Sequence, residues 1–91
     1  MMEAPKLNQA ATLTTIHVDK VVDARGTACP GPLLEAKREM ASVPVKGVME
    51  VISSDEGTAT DVPLWARKVG HEYLGTRAEA GLWHIYVRRG K

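Results

Sequence analysis

Val48-Met-Glu-Val-Ile52 is an almost wholly apolar run, too short for a helix, and it reads as an interior β-strand. The segments around it supply the rest of a sheet. Ile16, Val18, Val21 and Val22 place a β-branched strand over Ile16–Asp23. Glu72–Glu79 and Leu82–Arg88 read as two strands joined at Ala80-Gly81. In the last of them Trp83, Ile85 and Val87 alternate with His84, Tyr86 and Arg88, which predicts a sheet covered on one face and half open on the other.

Two helices are predicted between the strands. The first runs from Pro30 to Ala41, with Leu33, Ala36 and Met40 on one face and Leu34 and Ala41 extending it; Pro44 prevents its continuation. The second starts between Thr58 and Asp61. Asp61 is the expected N-cap, because Pro63 then falls in the first turn, where its missing N–H costs nothing. Val62, Trp65, Ala66 and Val69 form its buried stripe, and Gly70 ends it in a left-handed conformation. Two helices cannot cover both faces of four strands. The expected architecture is therefore an α/β (α+β) two-layer sandwich of order βαβαββ, with a four-stranded mixed sheet and both helices packed on one face.

Ninety-one residues make one small domain, assigned to 16–91, preceded by a loose N-terminal extension over 1–15. A net charge of +1 is not the basic footprint of a nucleic-acid binder, so no direct nucleic-acid binding is expected. The single cysteine excludes an internal disulfide and a Cys-x-x-Cys redox pair. Histidines at 17, 71 and 84 lack ligand spacing, so neither a metal site nor a cofactor site is expected. An unpaired thiol suits a reducing compartment, and no leader or membrane-spanning run is visible, which makes the cytoplasm the expected location.

The single cysteine, Cys29, follows the turn Asp23-Ala-Arg-Gly26 and precedes Pro30 at the expected first position of helix one. A helix N-terminus stabilises a sulfur anion, so this thiol should ionise more readily than a free one. Pro30 and Pro32 stiffen the loop around it. Arg25, Lys37 and Arg38 are candidates to assist the anion, Arg25 foremost because it lies in the leading turn; ordinary solvated charge accounts for them equally well. Asp61 and Pro63 are candidate partner contacts, although helix capping explains both. Trp65 and Trp83 read as core, and Arg88, Arg89 and Lys91 as a solubilising edge rather than a partner or RNA contact. No spacing ties His17, His71 or His84 to Cys29, so a Cys–His hydrolase is poorly supported.

Asp23-Ala-Arg-Gly26 followed by Cys29-Pro30-Gly31-Pro32 resembles the Cys-Pro-x-Pro signature of the TusA/SirA family of sulfur carriers. The resemblance continues through Thr60-Asp61-Val62-Pro63 and Gly70-His71-Glu72 to the basic strand Tyr86–Gly90, covering about residues 16–91. It implies a βαβαββ sandwich and a carrier that holds sulfur as a persulfide on Cys29. The donor would be a cysteine desulfurase or a rhodanese-like protein. A downstream acceptor protein would serve transfer-RNA thiolation, molybdenum-cofactor enzymes or sulfur oxidation. A small carrier visiting several partners is expected to be a monomer. Some family members have a second cysteine near the position of Ala66; this chain has none, which rules out an internal resolving cysteine. The alternatives are a regulatory or interaction module of the same fold with Cys29 as a redox sensor, and a small thiol enzyme such as a peroxidase, which would need an external thiol.

Overall fold

The computed structural model describes residues 16–28 and 30–91; Cys29 and the extension assigned to residues 1–15 lie outside the described residues. The elements are β1 (Lys20–Asp23), α1 (Gly31–Met40), β2 (Val48–Ser53), α2 (Glu56–Val69), β3 (Glu72–Glu79) and β4 (Leu82–Arg88). The strands lie in the order β1-β2-β4-β3. β1 pairs parallel with β2, and β4 pairs antiparallel with both β2 and β3, so the sheet is mixed and the apolar run at 48–52 is interior.

Alternation along the strands sends one set of side chains toward the helices. Val22, Met49, Val51, Ile85 and Val87 meet Ala36 and Met40 of α1 and Val62 and Ala66 of α2 in one core, with Leu33, Trp65, Tyr73 and Trp83 packed at its margin. Both helices therefore lie on one face, as the element order required. The opposite face is less open than the alternation suggests. Tyr86 and Val48 are buried there, packed with Leu74 and with Ile16 and Val18 from the segment before β1. That segment was expected to be strand from Ile16. Instead only Lys20–Asp23 pairs as strand, while Asp19 turns in and its carboxylate accepts the Val48 N–H at 2.9 Å.

The helix limits differ from expectation in ways that matter for the site. Helix α1 starts at Gly31, so Pro30 is the N-cap and Pro32 takes the early helical position. Leu34 faces solvent at 57% exposure, and the buried stripe is Pro32, Ala36 and Met40. Helix α2 starts more than a turn before the expected cap at Asp61, with Asp55 as N-cap accepting from the Gly57 N–H at 2.9 Å. Asp61 is thus not a cap. Pro63 sits inside α2, buried, and cannot donate to the carbonyl four residues back. The extra turn forms because Ser53, Asp55 and Thr58 satisfy one another. Ser53 Oγ lies 3.0 Å from Thr58 Oγ1 and accepts the Asp55 N–H at 3.0 Å, and both hydroxyl residues are fully buried. Gly70 closes α2 at φ 91°, as expected. Ala80 and Gly81, both at positive φ, turn β3 into β4, also as expected.

Met49 and Leu34 give a direct check on the core. Met49 is completely buried, so Met49→Ala should lower unfolding free energy by about 2–5 kcal/mol in urea titrations. Leu34→Ala should change it by no more than about 0.5 kcal/mol.

Candidate functional site

β1 and β2 run parallel and both lead into helices, so their C-terminal ends place two strand-to-helix junctions side by side. The first junction carries Cys29. It begins with the Ala24 N–H bonded to the Ile52 carbonyl at 2.8 Å and proceeds through two turns, Thr27 N–H to Ala24 O at 3.2 Å and Gly31 N–H to Ala28 O at 2.9 Å. In sequence Cys29 directly precedes the Pro30 N-cap. The Gly26 N–H donates to Ser54 Oγ at 3.0 Å and ties this junction to the second one. Gly26, Thr27 and Ala28 face Ser54, Asp55 and Glu56 across a depression of about 300 Å³.

The two helix N-termini that meet here differ electrically. At α2, Asp55 caps the first N–H groups and Glu56 adds a carboxylate to the first turn. At α1, among the described residues, there is no side-chain cap and no acidic residue in the first turn, while Lys37 and Arg38 sit in the last turn. Among the described residues, the first turn of α1 thus offers its positive dipole end no carboxylate, and Cys29 precedes it in sequence.

The candidate residues separate. Arg25 does not stand free beside Cys29. Its Nε and Nη2 grip both carboxylate oxygens of Asp23 at 2.8 and 2.7 Å, and its N–H adds a third bond to the same side chain. This pairing lowers the Asp23 carboxyl from its ordinary 3.8 to about 2, chiefly through the guanidinium hydrogen bonds. Arg38 pairs with Glu35 at 2.7 Å. Pro30 and Pro32 bracket the start of α1. Asp61 and Pro63 lie further along α2 and do not line the depression beside Ala28. His84 is engaged on the far face of the sheet, its Nδ1 2.7 Å from Glu50 Oε2, and His71 lies against the C-terminal end of α2. Ser54 and Asp55 were missed as site residues. The signal was present in Ser53-Ser-Asp-Glu56, polar caps immediately before Thr58, Val62 and Ala66 at helical spacing.

Gly31 lies against the exposed Thr27 side chain. A Cβ there would collide with Thr27 Cγ2 while meeting Thr27 Cβ at an ordinary 3.6 Å.

The scan against protein families matches residues 20–89 to the family described as sulfurtransferase TusA. The chain is 48% identical over 71 residues to a putative sulfur carrier protein of Archaeoglobus fulgidus, covering 78% of this chain and 97% of that one. It is 32% identical over 77 residues to the sulfur carrier protein TusA of Pseudomonas entomophila, covering 85% and 96% of the two chains. It is 40% identical over 70 residues to the putative sulfur carrier protein YrkF of Bacillus subtilis, but spans only 38% of that protein. Among solved structures, a SirA-like protein from Desulfitobacterium hafniense superposes with a TM-score of 0.69 at 22% identity, over 79% of this chain and 99% of the other, which supports the same fold.

Two outcomes are expected at this site. An NMR titration should give Asp23 a midpoint near 2, and Arg25→Ala should return it toward 3.8. Because the folded value is depressed, the stabilisation from this pair is present above the ordinary carboxylate value and lost as pH falls through about 2. In a double-mutant cycle, Gly31→Ala should cost no more than about 1 kcal/mol, because exposed Thr27 can turn away, and adding Thr27→Ala should remove any such cost. The sequence match over residues 20–89 and the relatives that it aligns with end to end make this chain a member of the TusA family of sulfurtransferases, with a sulfur carrier role.

Proposed function

We propose that this protein carries sulfur as a persulfide on Cys29 and passes it between proteins. The observation that carries this reading is that the lone cysteine of a TusA-family chain immediately precedes the N-cap of α1, a helix whose N-terminus has no acidic group of its own among the described residues. In the loading step the Cys29 thiolate attacks the outer sulfur of a donor persulfide. The donor S–S bond breaks, the donor leaves as a thiolate, and a new S–S bond makes Cys29 a persulfide anion. In the unloading step an acceptor thiolate attacks the outer sulfur, and Cys29 leaves as its thiolate. Electrons balance in both exchanges without an added oxidant.

A helix N-terminus favours a nearby anion by about 0.3–1 kcal/mol, which suits both the thiolate and the persulfide. Pro30 and Pro32 limit the freedom that the loop loses on docking. With one cysteine in the chain, no internal thiol competes for the sulfur. The donor in this reading is a cysteine desulfurase or a rhodanese-like protein. The acceptor is a protein of transfer-RNA thiolation, molybdenum-cofactor assembly or sulfur oxidation, and the setting is the cytoplasm. The chain acts as a monomeric carrier with no bound cofactor and no turnover of its own.

Incubation with a cysteine desulfurase and cysteine, followed by intact-mass spectrometry, should show one added sulfur atom that a reducing agent removes. Cys29→Ser should show none. A wild-type protein that gains no sulfur from either a desulfurase or a rhodanese-like donor would refute the reading.

A further inference from the structure

Two depressions lie at the end of the molecule where both helices finish, away from the junction at Gly26–Ala28. One is lined by residues at the ends of α1 and α2, the other by residues flanking the start of β3 and the end of β4. His71 and Arg89 belong to both. Seven of the twelve lysines and arginines in the chain gather here, whereas Glu72 is the one carboxylate side chain in either lining among the described residues. A net charge of +1 therefore conceals a strongly polarised molecule.

Part of this charge has structural work. Arg88 pairs with Glu72 at 2.9 Å, and the Arg89 guanidinium donates to the Val43 carbonyl at 2.6 Å just beyond the end of α1. Arg67 lies over the Tyr73 ring at 5.2 Å. Lys37, Lys68 and Lys91 form no ion pair among the described residues, and all three rim the cleft of about 570 Å³ between the helix ends. The floor of that cleft is apolar: Met40, Ala41, Trp65 and Val69, the last 39% exposed. His71 stands at its edge, its ring 5.4 Å from Trp65. Its Nδ1 accepts the Gly90 N–H at 3.0 Å, which leaves the proton of the neutral ring on Nε2 as a donor. Burial first, and then the charges of Arg89 and Lys91, hold His71 below the usual histidine range, so the local potential is positive.

An apolar floor inside a cationic rim has the anatomy of a protein interface. A phosphate backbone would use the lysines and leave the floor unused. We propose that the lysine-rimmed cleft between the ends of α1 and α2 docks an acidic protein segment that carries one apolar anchor side chain. The docked segment lies at the opposite end from the Gly26–Ala28 junction, so a scaffold protein can hold the carrier while that end stays free. This inference does not depend on persulfide chemistry at Cys29.

The test is an NMR titration of the full ¹⁵N-labelled chain with a short Glu-rich peptide bearing one central Leu, the same peptide with Ser in place of Leu, and a short single-stranded RNA. The Leu peptide should shift the amides of Lys37, Lys68, His71 and Lys91 and bind about tenfold more tightly than the Ser peptide. Its affinity should fall as salt rises. The triple variant Lys37→Glu, Lys68→Glu, Lys91→Glu should keep a folded spectrum and lose at least about tenfold in affinity. Alkylation of Cys29 by iodoacetamide should proceed at the same rate with the peptide bound. Equal binding of the two peptides, tighter binding of the RNA, shifts centred on Gly26–Ala28 and Ser54–Glu56, or no binding would each overturn the proposal.

Discussion

The parallel pairing of β1 with β2 is the constraint on which the rest of the site depends. Val22 opposite Val51 locks the register, since both side chains point into the helix-covered core at 3% and 0% exposure. A one-residue slip would turn Val22 outward and bring Val21 or Asp23 in, which the core does not admit. Parallel strands also need crossover connections, and here the crossover is α1. The strand ends that lead into α1 and α2 are therefore adjacent, and the Gly26 to Ser54 hydrogen bond joins the two junctions. The placement of Ala24–Ala28 and of the start of α1, which flank Cys29 in sequence, follows from a register set by two valines in the core.

Electrostatics then separate the two ends of the molecule. At the strand-to-helix end, Asp55 and Glu56 occupy the N-terminus of α2, Arg25 is spent on Asp23, and the first turn of α1 has, among the described residues, no side-chain cap and no acidic residue. At the other end both helices finish, and cations collect in excess of what the last carbonyls and Glu72 take up.

Strand and helix order was legible because each element carried its own period. The interior run at 48–52, the alternation in β4 and the Ala80-Gly81 turn all lie where their patterns placed them. The start of α2 was not legible in the same way. Pro63 after Asp61 is a strong local sign of a helix start, yet tertiary burial of Ser53 and Thr58 outweighs it and carries the helix a turn and more upstream. Leu34 failed for a related reason. At its place on α1 the buried stripe rotates toward Pro32, a residue read for its backbone rather than for its packing. Arg25 stands out by its proximity to Cys29 in sequence, but its guanidinium is engaged by the carboxylate two residues before it.

The proposed carrier role rests on a Cys29 sulfur anion stabilised by the N-terminus of α1, the helix that Cys29 precedes in sequence. The most direct measurement is the rate of Cys29 alkylation as a function of pH, in the folded protein and again in urea. The account requires a folded-state midpoint below the value of about 8.5 for a free cysteine, returning to about 8.5 on unfolding. A folded-state midpoint at or above about 8.5 would contradict it.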